Sequence, residues 1–350
     1  MEMKILITGA TGMLGRSILK HFAEINNHDS NNAYQYKCLG TGMSRVQDGD
    51  GLIKLDLLDE SSVSQTLDKF QPEIIIHCAA ERFPDKVALN PVRTTKLNVD
   101  STAFLSKECC RIQATMIYIS TDYVFDGGVN TGVFPPYKPD SITGPVNDYG
   151  LSKLAGEEAV LASKGASSSH IIVRVPVLYA LDCESLDESA SLTVANALKK
   201  KKSDDGNDKK AAKVDNWGVR FPTLVDDIAR CIRLIVDHSI ATTQNSDGKC
   251  NVEGGTIFHV SSPQSCTKYE LLKIMGDILK VDSSHIEPDP EPPAGAPRPQ
   301  NTQMDCSQTW SILNPTEEFQ FTPLREGMDL ALRRFKSTEA KSRSRRWKFC

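Results

Sequence analysis

A tyrosine and a lysine four residues apart form the chemically most informative pair in the chain. Tyr149 and Lys153 stand in "NDYGLSKLAGE" (147–157), one helical turn apart, so both side chains can face one site. A lysine cation beside a tyrosine lowers the pKa of the phenol and readies it to protonate a carbonyl while hydride arrives from a nicotinamide. Thr121, at the end of a strand-like segment, is placed to hydrogen-bond the same oxygen. These residues predict a centre for carbonyl reduction.

The spacing alone is weak evidence, because Tyr269 and Lys273 form a second copy of it. That copy lies in an amphipathic helical pattern away from any strand end, and we interpret it as ordinary helix surface. The first pair is distinguished by its place after "ISTDYVFDGG" (119–128), where a strand ends in a Ser-Thr-Asp turn. An alternative for Thr121, Tyr149 and Lys153 is a cofactor-binding shell without turnover.

A glycine motif near the start of the chain predicts where the cofactor binds. Gly9, Gly12 and Gly15 follow a short apolar strand and precede a helical pattern, which is the context that a dinucleotide-binding motif requires. Gly9 permits a tight turn, Gly12 lets the backbone approach a pyrophosphate, and Gly15 lets helix and strand pack closely. The phosphates then lie at a helix N-terminus, whose dipole favours anions. The alternative is a glycine-rich turn without a ligand.

The residues after the second strand indicate which nicotinamide cofactor is bound. An acidic residue there would hold the ribose 2′-hydroxyl, whereas a basic one accepts a 2′-phosphate. The stretch "LGTGMSRVQ" offers Ser44 and Arg45 and no acid before Asp48, which favours NADP over NAD. Asp56 and Leu57, in "LDLLD", are placed to line the adenine. Arg45 is alternatively a solvated loop arginine.

Strands and helices alternate through the first half of the chain. Buried-strand patterns occupy 4–8, 36–42, 73–80, 115–120 and 170–179, and helical patterns lie at about 60–69, 95–112 and 147–163. Such alternation is typical of a parallel sheet covered by helices on both faces. The predicted fold class is therefore α/β, a Rossmann-type doubly wound parallel sheet with a smaller C-terminal α/β lobe.

The rhythm changes after residue 180, and we predict three regions. Residues 1–180 form the NADP-binding Rossmann domain, 181–332 a smaller lobe of the substrate-binding type, and 333–350 a basic and aromatic tail. Within the lobe, 199–213 is rich in lysine and is interpreted as an exposed insertion. Amphipathic helices are predicted at 222–236 and 267–280. The proline-rich stretch 288–300 is predicted to be a loop without regular structure.

Composition excludes several classes of protein. The formal net charge is −4, and the body is acidic once the basic tail is set aside, which argues against nucleic-acid binding. No apolar run approaches the roughly 20 residues of a membrane helix. The ten cysteines are scattered without metal-ligand spacing, so we expect reduced thiols and no metal site. We expect a cytoplasmic protein without a secretion signal, and a nuclear pool stays open.

The end of the chain, "SRSRRWKFC" (342–350), is unlike the rest. From Arg333 onward there are eight basic residues and one acidic residue. Trp and Arg often dominate the energetics of protein interfaces, and a frayed end has no need of large aromatic residues. This pattern predicts a partner-binding element, with the candidate residues Arg345, Arg346, Trp347 and Phe349. The alternative is a disordered basic end.

Several of these motifs together resemble a known family. "TGATGMLG", "STDYVFDGG" and "YGLSK" resemble the extended short-chain dehydrogenase/reductase family, and "RVPVLY" with "RPQNTQMDCS" narrows this to its dTDP-4-dehydrorhamnose reductase branch. Within the branch the chain is similar to the regulatory β subunits of methionine adenosyltransferase. The segments that carry this similarity are "HCAAERFPD", "RFPTLV", "TKYE", "GAPRPQNTQMDCS" and the terminal "RRW".

The resemblance implies a set of NADP contacts and a partner. The implied contacts are Thr11, Gly12, Met13, Leu14, Met43, Ser44, Arg45, Asp56, Leu57, Cys78, Arg82, Tyr149 and Leu178. Similar subunits have two arginines where this chain has Ser44 and Arg45, so any 2′-phosphate clamp is expected to be weaker. Arg82 would bring charge to the cofactor, or would instead form a surface ion pair with Glu81. In the similar subunits the tail inserts into the catalytic oligomer.

Two functions follow from these observations. The first is a non-catalytic regulatory subunit that binds NADP, docks on the catalytic subunit of methionine adenosyltransferase through its tail and modulates S-adenosylmethionine synthesis. The second is an NADPH-dependent dTDP-4-dehydrorhamnose reductase, with Thr121, Tyr149 and Lys153 as catalytic residues. Both use one fold, and fold does not fix function. The "ERFPD" loop and the tail favour the first, for which the catalytic trio is vestigial.

Overall fold

A computed structural model describes residues 2–28, 34–46, 51–163, 170–198, 212–244, 256–315 and 317–341. Its strands are β1 (Glu2–Thr8), β2 (Gln35–Gly42), β3 (Leu52–Lys54), β4 (Ile74–His77), β5 (Thr115–Thr121), β6 (Ile171–Val175), β7 (Leu178–Tyr179), β8 (Ala212–Asp215), β9 (Thr223–Leu224), β10 (Thr256–His259) and β11 (Ile286–Asp289). Its α-helices are α1 (Met13–His28), α2 (Glu60–Phe70), α3 (Pro84–Leu89), α4 (Pro91–Thr95), α5 (Ser101–Arg111), α6 (Asp148–Ala162), α7 (Val225–Gln244), α8 (Lys268–Leu279), α9 (Ser307–Leu313) and α10 (Leu324–Lys341). No helix within these ranges is long and apolar enough to span a membrane.

Seven parallel strands form the central sheet. Their order is β3-β2-β1-β4-β5-β6-β10, so the strand order reverses between β1 and β4. This is the topology of a doubly wound nucleotide-binding sheet, in which the reversal opens a crevice at the carboxyl ends of the strands. The predicted fold class is confirmed.

The sheet is buried on both faces because its strands are apolar at successive positions. Ile5 and Ile7 pack with α1 and α7 on one face. Leu6 and Ile75 pack with α2, α5 and α6 on the other. Alternate side chains of a strand point to opposite faces, so a continuous apolar run such as that of β4 supplies both cores at once.

The chain returns to the central sheet after building part of the second lobe. Strand β10 pairs in parallel with β6, and helix α7 packs against α1. The second lobe contains two small parallel sheets, β7 with β9 and β8 with β11. Helix α8 begins with a capping box, in which Thr267 and Glu270 satisfy each other's backbone N–H groups.

Two local predictions for this lobe were wrong at their edges. Pro288, placed in a loop without regular structure, pairs with Val214 in the β11–β8 sheet. A two-stranded sheet consists only of edge strands, where the missing proline N–H is tolerated. Ala212 and Lys213, assigned to the lysine-rich insertion, begin β8. Residues 199–211 lie outside the described residues.

Helix α10 completes the lobe and leads towards the tail. Its first turns are anchored in the core through Leu324, Met328 and Leu332, and its backbone continues to Lys341. The four tail residues proposed to bind a partner, Arg345, Arg346, Trp347 and Phe349, lie outside the described residues.

Candidate functional site

A cavity of about 500 Å³ opens at the carboxyl ends of the central strands. It lies where the strand order reverses, the usual place for a ligand in an open α/β sheet. All the cofactor and catalytic residues predicted from the sequence line it: Gly9, Thr11, Gly12, Met13, Leu14, Gly15, Met43, Ser44, Arg45, Asp56, Leu57, Cys78, Arg82, Thr121, Tyr149, Lys153 and Leu178. The structure therefore brings together residues that are up to 169 positions apart.

The glycine turn joins β1 to α1 at one wall of this cavity. Gly9 has φ +67°, and a Cβ on it would lie 2.8 Å from the backbone of Ala79. A Cβ on Gly15 would collide with the carbonyl oxygen of Gly9 and come within 2.7 Å of Ala10 Cα. The Gly12 N–H donates to the Gly9 carbonyl at 2.9 Å. The turn brings backbone close to the cavity at the start of a 16-residue helix.

The ends of β2 and β3 form the side of the cavity at which the sequence predicts the adenosine, here called the adenosine side. Met43 is 53% exposed, and Arg45 reaches across the cavity to Glu188, with Nη1 2.7 Å from Oε1. Asp56 accepts the backbone N–H of Leu58 at 3.0 Å and so fixes the turn after β3. The Arg45 guanidinium is held in this ion pair, while its side chain stays 53% exposed to solvent.

A buried asparagine fixes the loop after β4. Asn98 accepts the Glu81 N–H at 2.9 Å and donates to the Glu81 carbonyl at 3.0 Å. It lies in a one-turn π-helix, Lys96–Asp100, a feature often found at functional sites. The Glu81 carboxylate accepts the N–H groups of Arg82 and Phe83, and the Arg82 guanidinium donates to the carbonyl of Glu188. The alternative of a Glu81–Arg82 ion pair is therefore not supported.

The catalytic trio is positioned by β5 and α6. Thr121 ends β5, and its Oγ1 accepts the Tyr123 N–H at 3.2 Å. Asn147 caps α6 by accepting the Gly150 N–H at 2.9 Å, which places Tyr149 in the first turn of the helix. Lys153 follows one turn later and is buried. All three side chains line the cavity, as the spacing predicted.

The expected lowering of the tyrosine pKa was wrong. Withdrawal from water raises the pKa of Tyr149 to about 12, against a hydrogen bond with Thr121 that lowers it. The Lys153 ammonium instead lies 4.0 Å from the centroid of the Tyr118 ring. Burial lowers the pKa of Lys153 to about 7, although Glu157 opposes this. A lysine that is half neutral at pH 7 polarises a neighbouring phenol only weakly.

Cys78 behaves as an apolar wall residue. It follows β4, and burial raises the pKa of its thiol to about 12. A neutral thiol is neither a nucleophile nor a metal ligand. None of the eight cysteines within the described residues forms a disulfide.

The cavity residues that sequence reasoning missed include Arg16, Asp122 and Glu188. Arg16 lies one turn into α1 and could have been found from its place beside the glycine motif. Asp122 belongs to the "STD" turn and is fully buried, with Oδ2 accepting from Thr302 Oγ1 at 2.5 Å. Glu188 lies in a short 3₁₀-helix, Leu186–Glu188, and no local pattern marks it.

The second Tyr-x-x-x-Lys pair lies elsewhere. Tyr269 is partly buried against the core of the second lobe, and Lys273 Nζ stands 6.0 Å from its ring. Neither residue lines the cavity. Both residues belong to α8, as the amphipathic pattern predicted.

Comparison with known proteins defines the family. The chain belongs to the family of proteins with an RmlD substrate binding domain, an extended short-chain dehydrogenase/reductase type, whose family model matches residues 3–336. Methionine adenosyltransferase 2 subunit beta of Xenopus tropicalis is 39% identical over 311 residues, 88% of this chain and 82% of that protein. A dTDP-4-dehydrorhamnose reductase of Mycolicibacterium smegmatis is 29% identical over 88% of this chain and 80% of its own length. The resemblance noted in the sequence is confirmed.

The fold is also found among solved structures. A dTDP-4-dehydrorhamnose reductase from Bacillus anthracis, solved in complex with NADP, superposes with a TM-score of 0.69 at 24% identity, covering 94% of this chain and 97% of that one. A likeness at this identity establishes the sheet and the arrangement of its helices.

Proposed function

We propose that this chain is a regulatory subunit of methionine adenosyltransferase that holds NADP and docks on the catalytic subunit through its C-terminal tail. The observation that carries the proposal is the similarity to methionine adenosyltransferase 2 subunit beta, at 39% identity over most of both chains, against 29% for the reductase. Such a subunit would act on S-adenosylmethionine synthesis in the cytoplasm. The subunit itself would bind NADP and the catalytic subunit without catalysing a reaction.

Several features of the cavity support a nicotinamide dinucleotide as its ligand. The glycine turn offers backbone N–H groups at the N-terminus of α1, where a pyrophosphate is favoured. Arg45 follows β2, the position at which a cation meets a 2′-phosphate. Cys78 and Leu178 would add apolar walls for the rings. The volume of about 500 Å³ falls within the range of ligand sites.

The trio is better suited to holding a cofactor than to rapid proton transfer. Bound NADPH would supply a hydride. Tyr149, with its pKa near 12, would keep its proton and offer a hydrogen bond, and Lys153, with its pKa near 7, would carry only part of its charge. General acid catalysis works best when the pKa lies near the working pH. The raised pKa of Tyr149 supports the interpretation of the trio as a binding shell.

The proposal is tested by removing the tail without disturbing α10. A variant that ends at Lys341 keeps the whole described helix and loses residues 342–350. We expect it to lose co-purification with the methionine adenosyltransferase catalytic subunit while its NADPH dissociation constant stays unchanged, because the deletion removes none of the residues that line the described cavity. Survival of the complex would refute tail docking.

A matched control separates the effect of losing positive charge from the effect of losing the tail itself. The deletion removes four positive charges, and replacement of Lys199, Lys200, Lys201 and Lys202 by glutamine removes the same number elsewhere. We expect this control to co-purify with the catalytic subunit as the full chain does. Equal losses in both variants would mean that net charge, rather than the tail, governs association.

The retained trio makes a reductase the second candidate. Thr121, Tyr149 and Lys153 line one cavity, as a carbonyl reductase requires. The assay measures NADPH oxidation with a dTDP-4-keto-6-deoxysugar, comparing the full chain with Tyr149→Phe. The regulatory proposal expects no difference between the two proteins. Turnover that disappears in Tyr149→Phe would establish the enzyme instead.

A further inference from the structure

A carboxylate of the second lobe lies against the cations at the adenosine side of the cavity. Glu188 Oε1 stands 2.7 Å from Arg45 Nη1, and Oε2 stands 3.3 Å from Arg16 Nη2. The backbone carbonyl of Glu188 also accepts a hydrogen bond from Arg82. Three arginines from three loops or helices of the Rossmann core therefore meet at one residue.

The segment 182–188 is built to hold this carboxylate in place. The Glu184 N–H donates to Glu188 Oε2 at 3.2 Å. Asp182 pairs with Arg16 Nε at 3.1 Å. The Glu188 side chain is only 16% exposed, whereas that of Arg45 is 53% exposed. The carboxylate is thus the more enclosed partner, and the arginine is the one with room to turn.

Arg45 stands where a Rossmann protein chooses between its cofactors. The residues after the second strand meet the adenosine ribose, and a basic side chain there accepts the 2′-phosphate. In this chain the guanidinium already has an anion, because Glu188 supplies one. A phosphate and a carboxylate bind the same face of an arginine with similar geometry, so both cannot occupy Arg45 fully at once.

We propose that Glu188 is a specificity-determining residue, an internal anion that competes with the 2′-phosphate of NADP for Arg45 and Arg16. This inference rests on the proposed binding of a nicotinamide dinucleotide. NADP must draw the arginines away from the carboxylate to bind its 2′-phosphate, whereas NAD, which lacks the phosphate, leaves the ion pair intact. Glu188 therefore reduces the preference for NADP over NAD that Arg45 confers.

A purely structural role makes a different prediction. An ion pair that only fastened 182–188 to the core would affect protein stability, and its loss would change the binding of both cofactors alike. A competitor changes the binding of the phosphate-bearing cofactor alone. The ratio of the NADH and NADPH dissociation constants separates the two roles.

The experiment compares Glu188→Gln with Glu184→Gln in the full chain. Glutamine keeps the size of Glu188 and removes its charge. Glu184 carries the same charge four residues away and contacts Glu188 through its backbone N–H. We expect Glu188→Gln to bind NADPH and 2′,5′-ADP about 3- to 10-fold more tightly, on the order of a partly exposed ion pair, with NADH changed less than about twofold. Glu184→Gln should match the wild type.

A second variant tests whether the effect passes through the arginine. Arg45→Gln should weaken NADPH binding and leave NADH unchanged, and Glu188→Gln added to it should then have a much smaller effect on NADPH. If Glu188→Gln left the ratio of the NADH and NADPH dissociation constants unchanged, or changed the binding of both cofactors equally, the inference would be overturned. The proposed binding of a nicotinamide dinucleotide would still stand. Failure of the wild type to bind either cofactor would overturn the proposed cofactor function and this inference with it.

Discussion

Burial has opposite effects on the two ionisable groups of the trio. It raises the pKa of Tyr149 and lowers that of Lys153, because in each case the neutral form is favoured away from water. The spacing of Tyr149 and Lys153 correctly predicts that both reach one cavity. It does not predict that the Lys153 ammonium lies over the Tyr118 ring, since Tyr118 belongs to β5 and meets α6 only in the folded chain.

Asp122 gives the site a measurable response to pH. Burial raises the pKa of this carboxyl to about 6, although Thr302 donates to it and Arg220 carries positive charge nearby. Since the pKa is raised on folding, the cost of burying the charge is full above pH 6 and disappears as the pH falls towards the unfolded value of 3.8.

We therefore expect wild type to gain stability relative to Asp122→Asn as the medium is acidified. The difference in free energy of unfolding should shift by about 2 kcal/mol in favour of the wild type between pH 7 and pH 4. Urea denaturation of both proteins across this range measures it. Parallel pH profiles for the two proteins would show that Asp122 is ionised and adequately solvated in the folded state.

At the scale of elements, the turn from β1 to α1 contains one glycine that the fold requires and one that ligand binding would require. A methyl group on Gly15 would collide with the Gly9 carbonyl, whereas one on Gly12 would stand 3.2 Å from the same atom, a tight but tolerable contact. Gly15 is thus required for the packing of α1 against the turn, whereas Gly12 is required only if a ligand such as a pyrophosphate lies against the turn. The sequence motif predicts packing as the role of Gly15 and approach to a pyrophosphate as the role of Gly12. The structure explains the role of Gly15 through the close contacts with Gly9 and Ala10.

Two alanine substitutions distinguish these roles. Gly15→Ala should lower the free energy of unfolding by about 1–3 kcal/mol, the usual cost of overpacking. Gly12→Ala should unfold nearly as the wild type does but bind NADPH roughly tenfold more weakly, because its methyl group points where a pyrophosphate would lie. Chemical denaturation and equilibrium binding test both. Unchanged NADPH binding in Gly12→Ala would place the pyrophosphate elsewhere.

Long, strongly patterned elements are the ones that the sequence predicts well. The apolar runs of β4 and β6 are recognisable alone, because each is buried at every position. The predicted strand 170–179 is divided into β6 and β7. The pairing of β7 with β9 and of β8 with β11 is not recognisable, since it joins segments about 45 to 75 residues apart. Glu188 was missed for the same reason, as its partners are 143 and 172 residues away.

At the scale of the whole molecule, the two apolar faces of the sheet enclose neutral histidines. His77 in β4 and His259 in β10 are both fully buried. Burial lowers the pKa of each to about 3, with Lys153 adding to this effect at His77 and Arg174 at His259. Because the folded pKa lies below the unfolded one, their contribution to stability is complete above about pH 6.5 and is lost as the pH falls.

The protein should therefore lose stability at a pH well above the ordinary pKa of a carboxylate. Each histidine is expected to reduce the free energy of unfolding by about 2 kcal/mol between pH 7 and pH 5. The loss should be larger in Asp122→Asn, where the opposing gain is absent. Urea titrations at the two pH values measure this, and a flat profile in that variant would mean that the histidines are already protonated or hydrated in the folded protein.

Helix α10 sets the position and direction of the chain at Lys341. It is held by Leu324, Met328 and Leu332, and nine further residues follow in helical conformation. Each residue of an α-helix turns the chain by about 100° and advances it by about 1.5 Å. For a partner that contacts both the body and the residues beyond 341, a change in the number of helical residues would therefore alter both the direction in which the tail faces and its distance from the body. One alanine inserted after Phe335 would turn the tail by about 100°, whereas seven would restore its facing about 10 Å farther out.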